Sequence, residues 1–231
     1  MFRSLLGAVA LLLVPFASAA DPKPIEPFNG KDLTGWKVKD PKQSRWSACG
    51  VSLATPTATT FTLTTPTGKD LLVNDIAPKT HGSDIFTEEK FGDVTVELEF
   101  MIPKGSNSGI YLMGEYEVQI LDSYGKEKVG PGDLGGLYQA AAPKTNASKK
   151  PGEWQKFLIE FQAPKFEGDK KVANAKFVKV TLNDVVIHEN IEMKAQTPGG
   201  LTGKEAATGP LMFQGNHGSV AFRNIKITPK K

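Results

Sequence analysis

The sequence has 231 residues, of which 39% are hydrophobic and 23% charged, and its 28 basic and 25 acidic side chains leave a formal net charge of only +3. These are ordinary globular proportions, and without a block of like charge there is no electrostatic footprint for nucleic acid, so no nucleic-acid partner is expected. Cys49 is the single cysteine, which excludes an internal disulfide and leaves stability to an apolar core; with no base beside it in sequence it reads as an inert thiol.

At the N-terminus, Arg3 is followed by an apolar run from Leu5 to Phe16 and by the small-residue triplet Ala17-Ser18-Ala19. That is the pattern of a secretory signal peptide cleaved after Ala19. The run is about a dozen residues where a membrane span needs about 20, so no integral membrane segment is expected after cleavage. The expected organisation is a signal peptide at 1–19, a linker at 20–27 and one domain at 28–231, exported to the periplasm or the extracellular space. The linker holds three prolines between Asp21 and Pro27 and reads as an extended tether, with order beginning near Phe28.

Beyond it, short alternating segments separated by Gly, Pro, Asn and Asp predict strands throughout, with no internal repeat and no long amphipathic helix. Val94 to Phe100 alternates cleanly, with Val94, Val96, Leu98 and Phe100 on one face and Thr95, Glu97 and Glu99 on the other. Glu115 to Leu121 sets Tyr116, Val118 and Ile120 against Glu115, Glu117 and Gln119. Gln155 to Phe161 repeats the pattern, and Phe177 to Leu182 turns through Asn183-Asp184 into Val185 to His188 as a hairpin. Leu211 to Gln214 and Val220 to Ile227 supply a last pair, while Lys144 to Gly152 and Pro164 to Asn174 read as polar connections. Strands of this length and spacing fit an all-β, two-sheet antiparallel sandwich of the jelly-roll type.

Two groups of side chains carry candidate chemistry. At about 3.3 Å rise per residue, the alternate residues Glu115, Glu117 and Gln119 sit about 6.6 Å apart on one strand face, close to the spacing of paired glycosidase carboxylates. Two acids and an amide can grip a sugar; a solvated strand face is the plain alternative. The second group, Gln214, His217 and Arg223, brackets the turn Gly215-Asn216-His217-Gly218. Histidine transfers protons near neutrality and arginine stabilises negative charge on oxygen. His188 reads as a hairpin residue and His81 as a weaker candidate. Asn107, in a Gly/Ser turn, points at ligand hydroxyls or closes the turn. Tyr138 either binds a sugar or packs in the core, and Trp36, Trp46 and Trp154 read as core or opening-strand residues. No metal motif is diagnostic; Glu117, Asp122 and His217 are the side chains that a fold could bring together around a divalent ion, so the cofactor is left open.

Six blocks in order resemble the 3-keto-disaccharide hydrolase family, whose fold is a concanavalin-like jelly roll. They are Phe28-Asn29-Gly30-Lys31-Asp32-Leu33-Thr34-Gly35-Trp36, Ser106-Asn107-Ser108-Gly109-Ile110-Tyr111-Leu112, Tyr116 to Asp122, Gly152-Glu153-Trp154-Gln155, Gly209-Pro210-Leu211 with Phe213-Gln214, and His217-Gly218 with Val220 to Ile225. The resemblance runs from about residue 27 to 229, with two departures: Glu115 stands where relatives often carry a basic residue, and Asn216 where an aspartate is common. It implies a carbohydrate ligand and cleavage of the glycosidic bond of a sugar oxidised to a ketone at its third carbon. The ketone acidifies the proton on the second carbon, a general base removes it, the enolate is stabilised, and the glycosyl oxygen leaves before water adds. Glu117 or His217 would be the base, and Arg223, Gln119 or a metal ion the enolate stabiliser. Asn107, Glu115, Tyr138 and Gln214 would complete substrate binding. A lectin-like binding module without catalysis and an ordinary glycosidase using Glu115 and Glu117 are the alternative readings.

Overall fold

The computed structural model describes residues 22–76 and 80–230. The signal peptide expected at 1–19 lies outside the described residues. In chain order the strands are β1 (Trp36–Val38), β2 (Trp46–Ser52), β3 (Thr62–Thr64), β4 (Leu71–Asn74), β5 (Ile85–Thr87), β6 (Val94–Met101), β7 (Asn107–Leu112) and β8 (Tyr116–Leu121). They continue with β9 (Gln155–Gln162), β10 (Lys165–Glu167), β11 (Lys170–Ala173), β12 (Ala175–Leu182), β13 (Val185–Met193), β14 (Met212–Phe213) and β15 (Val220–Pro229). A 3-10 turn at Pro41–Gln43 is the one helical element among the described residues.

Two antiparallel sheets form a jelly-roll sandwich: a five-stranded sheet in the order β1-β5-β14-β7-β8 and an eight-stranded sheet in the order β13-β12-β9-β6-β15-β4-β2-β3. The two-residue alternation explains why they stack. Val96, Leu98 and Phe100 of β6 and Phe157, Ile159 and Phe161 of β9 point inward and are buried, as are Tyr116, Val118 and Ile120 of β8. Aromatic rings join the two sheets across this core, Phe213 stacking on Phe222 with centroids 4.0 Å apart and Tyr116 packing on Phe161 at 5.4 Å. Such pairs add about 0.5–1.5 kcal/mol each beyond the area they bury. Trp36 and Trp46 belong to the same core, and Cys49 is buried and unpaired.

The hairpin at Asn183-Asp184 forms as expected, both residues adopting the left-handed conformation (φ 51° and 66°) that a two-residue turn requires. Three expectations change. Leu211 to Gln214 and Val220 to Ile227 are not partners: β14 pairs with β5 and β7, whereas β15 pairs with β4 and β6 in the other sheet. Residues 214–219 therefore carry the chain from one sheet to the other. Pro164 to Asn174 is not a plain connection but contains the small β10–β11 hairpin. Order also begins before Phe28, because Ile25 exchanges both backbone hydrogen bonds with Ile227 (2.8 and 2.9 Å) and the carbonyl of Pro27 accepts from Trp36 Nε1 at 2.9 Å.

Candidate active site

The residues of β7 and β8 that do not enter the core point to the outer face of the five-stranded sheet: Asn107, Gly109 and Tyr111 from one strand, Glu117 and Gln119 from the other. They are cross-strand neighbours, since Gly109 pairs with Gln119 and Tyr111 with Glu117. Gly109 has a steric reason, because a Cβ there would lie 2.2 Å from Glu117 Oε1. The free edge of β8 is closed by the segment 135–138, in which Gln119 N–H donates to the Gly136 carbonyl and Gly135 N–H to the Gln119 carbonyl, both at 2.8 Å. This brings Tyr138 and Gln139 to the rim. Loop 196–203 covers the other side, with Thr197 Oγ1 accepting from Glu117 N–H at 3.1 Å. Asp84 and the crossing segment 214–217 close the remaining wall. The enclosed cavity is about 280 Å³ and is lined by Asn107, Tyr111, Glu117, Gln119, Tyr138 and His217, among others.

The crossing segment is held by polar contacts on every side. Gln214 N–H donates to the Gly109 carbonyl at 2.9 Å, Gly215 N–H to Asp84 Oδ1 at 3.0 Å, and Asn74 Nδ2 to the carbonyls of Gly215 and Gly218. Packing around its glycines leaves no room: a Cβ on Gly215 would lie 2.1 Å from the Ser83 carbonyl oxygen, and one on Gly218 2.6 Å from Asn107 N. His217 is exposed at the mouth, and its Nδ1 hydrogen-bonds to Asn216 Oδ1. Since that oxygen only accepts, Nδ1 carries the proton and Nε2 is the nitrogen left for the cavity.

Glu117 is the electrostatic centre. It is 2% exposed, and its pKa is pushed up to about 7, chiefly by burial and further by the nearby Asp84 carboxylate, against a hydrogen bond from the Tyr111 hydroxyl that favours the charged form. Its Oε1 has no hydrogen-bond partner, and the same is true of Asn107 Oδ1 and Gln119 Oε1. Three of the four buried side-chain polar atoms without a partner among the described residues therefore line this one cavity. Buried acceptors are normally paired, and leaving one unmade costs about 1–3 kcal/mol, so the cavity is arranged for a ligand bearing hydroxyl donors.

A family model of 3-keto-alpha-glucoside-1,2-lyase-like domains matches residues 23–228. The chain belongs to this 3-keto-alpha-glucoside-1,2-lyase-like family. Among solved structures it is similar to a proposed glycosyl hydrolase from Parabacteroides distasonis, 26% identical, with 94% of each chain covered and a TM-score of 0.69. Two further proposed glycosyl hydrolases from the same organism share the fold: one is 19% identical, covering 90% of this chain and 94% of its own, with a TM-score of 0.60. The other is 22% identical, covering 90% and 100%, with a TM-score of 0.57. No curated protein matches the sequence.

In this carbohydrate-active lyase-like domain, six of the expected site residues meet in one cavity: Asn107, Glu117, Gln119, Tyr138, Gln214 and His217. Three others do not. Glu115 shares the strand face of Glu117 but is turned into loop 196–203, where its carboxylate accepts from Thr202 N–H (2.8 Å), Thr202 Oγ1 (2.7 Å) and Gly203 N–H (3.1 Å). It holds a loop rather than a sugar, which removes the Glu115 and Glu117 pair of an ordinary glycosidase. Arg223 lies on the outer face of the eight-stranded sheet, paired with Glu99 at 2.6 Å and stacked over Trp154 at 4.0 Å, so it is not an enolate stabiliser. Asp122 caps a turn by accepting from Gly105 N–H at 2.9 Å. The candidate metal trio of Glu117, Asp122 and His217 thus does not assemble, and among the described residues no group of three or more His, Cys, Asp or Glu side chains is placed to hold a metal ion.

His188 is buried with Nε2 donating to the Gly135 carbonyl at 2.8 Å, and burial holds its pKa below the usual value, so it is a neutral structural histidine. His81 is exposed and outside the cavity. The cavity also contains Asp84, Tyr111, Gln139, Pro198, Gly199 and Asn216, which sequence reasoning missed as site residues. For Tyr111 the signal was present, since it alternates with core residues Ile110 and Leu112. For Asp84 and Pro198-Gly199 nothing in the linear pattern brings them to Glu117.

Proposed function

We propose that this chain cleaves glycosidic bonds of sugars carrying a ketone at the third carbon, by elimination, and that it does so outside the cytoplasm. One observation carries the reading: a buried carboxylate, Glu117, with a free oxygen facing a small cavity and a pKa of about 7. A base for removing a proton beside a ketone works best when its pKa lies near the working pH. Glu117 takes the proton from the second carbon. The electron pair passes into the ketone as an enolate, whose oxygen faces donors drawn from the Tyr138 hydroxyl and the Gln119 and Gln214 amides. Its return expels the oxygen on the first carbon and leaves a double bond between the first and second carbons. The departing oxygen takes its proton from water at the cavity mouth, relayed by His217, whose ring Asn216 fixes. Water then adds across the double bond to complete hydrolysis.

The test compares a 3-keto-glycoside with its unoxidised parent, using purified protein. Cleavage of the first alone supports elimination. Cleavage of the parent favours an ordinary glycosidase, and binding without cleavage a lectin-like module; either outcome would end the elimination reading. Export is tested by mass spectrometry of protein recovered outside the cytoplasm, which should begin at Ala20.

A further inference from the structure

The outer face of the eight-stranded sheet carries a second cavity, unrelated to Glu117. Strand alternation separates the two: on β4, β6 and β15 the residues Leu72, Phe100 and Phe222 enter the main core, whereas their neighbours Val73, Met101 and Ala221 face outward in a small apolar cluster of their own. Over that cluster lies a cleft of about 830 Å³, walled on one side by residues 51–57 and on the other by 150–154, with Met101 at its floor. This falls within the range of about 300–1,000 Å³ typical of ligand pockets. Both walls are tied down, since Lys104 N–H donates to the Ala58 carbonyl and Gly152 N–H to the Ile102 carbonyl, both at 2.9 Å. Gly152, at φ 83°, lets the second wall pack against Leu53, which lies 2.7 Å from where a Cβ would stand.

From this cleft we infer a second carbohydrate-binding site, on the side of the sandwich opposite the candidate active site and taking an uncharged oligosaccharide. Tyr124 stands at the cleft 50% exposed, one of few large apolar side chains left open to water among the described residues. Trp154, backed by the Arg223 guanidinium, supplies a second aromatic wall. Aromatic faces accept the apolar faces of sugar rings, and their flanking polar groups take the hydroxyls. Lys104, Lys150 and Glu153 line the cleft beside Asp122. Two basic and two acidic groups cancel, which disfavours a polyanion and suits hydroxyls that both donate and accept. The cleft is several times larger than the catalytic cavity, so it admits more than one sugar ring where that cavity admits a terminal one.

The site is independent of the elimination chemistry and is tested on the full exported chain without turnover. Cellotetraose, maltotetraose and, as a charged control, a tetragalacturonide are titrated while amide NMR shifts are followed. The expected result is saturable binding of a neutral probe, with shifts at 51–55, 57, 124, 150 and 152–154, unchanged in Glu117→Gln. Tyr124→Ala, an exposed substitution, should weaken it by about tenfold or more, the loss of one aromatic contact at a binding centre, while leaving 3-keto-glycoside cleavage intact. Shifts confined to the Glu117 cavity, tighter binding of the tetragalacturonide, no binding of either neutral probe, or indifference to Tyr124→Ala would each overturn the inference.

Discussion

Glu117 is buried beside the Asp84 carboxylate, so its proton is held more tightly in the folded chain than in the unfolded one. Between pH 4.5, its ordinary pKa, and about 7 the native state keeps a proton that the unfolded state has released. The stability this contributes is complete below pH 4.5 and is lost as pH rises through 7. Glu117→Gln should therefore raise the melting temperature at pH 8 and not at pH 4, with an upper bound on the order of 3 kcal/mol, as scanning calorimetry at both pH values would show. The same variant should lose about 100-fold or more in turnover of a 3-keto-glycoside, and the wild-type kcat/KM should fall below pH 7 as the base protonates. A loss of activity that comes with lower stability at pH 8 would identify Glu117 as a structural residue instead. Arg223→Ala makes the opposite prediction: cleavage within about twofold of wild type, and a stability loss of about 1 kcal/mol from the partly exposed Glu99 pair and the Trp154 stack, read by urea unfolding. Sequence placed Arg223 near the site because it stands six residues after His217, and a strand register cannot show that the chain changes sheets between them.

Among the elements, loop 196–203 is anchored at its far end by the Glu115 carboxylate. Three donors converge on Glu115, and Gly200 is packed so closely that a Cβ would lie 2.2 Å from Glu115 Oε2. Glu115→Ala should free Thr202 and Gly203, measured as faster amide hydrogen exchange at those positions, and raise KM about tenfold by loosening Pro198-Gly199 over the cavity, with a smaller change in kcat. An unchanged KM would detach the loop from substrate binding. The elements read correctly from sequence are the ones with one apolar and one polar face, β6, β9 and β12, where side-chain chemistry and burial agree. On β8 the alternation and the site role of Glu117 and Gln119 were legible, but their burial was not. Glu115, Glu117 and Gln119 resemble a solvated face, and they are buried because 135–139 and 196–203, distant in sequence, fold over them. Strands as short as β1, β5 and β14, of two or three residues, offer no period to detect.

For the whole molecule, the fold class and the meeting of an acidic strand with a histidine turn were legible because each element carries a local pattern, whereas the rest of the cavity was not, because Asp84 and Pro198 come to Glu117 and His217 only through the folding of distant segments. Those sheets put the small cavity on one outer face and the large cleft on the other, with 214–219 as the bridge between them. The bridge also governs how the protein can change. Gly215 and Gly218 are walled in by backbone and cannot be exchanged for any larger residue without displacing β5 or β7, so the histidine's perch is frozen against mutation. Loop 196–203, by contrast, touches the cavity through Pro198 and Gly199 and is anchored from behind by Glu115. Selection for new sugars, in nature or in a laboratory library, would find its freedom there, varying the cover of the cavity while the proton-handling residues stay where the crossing holds them.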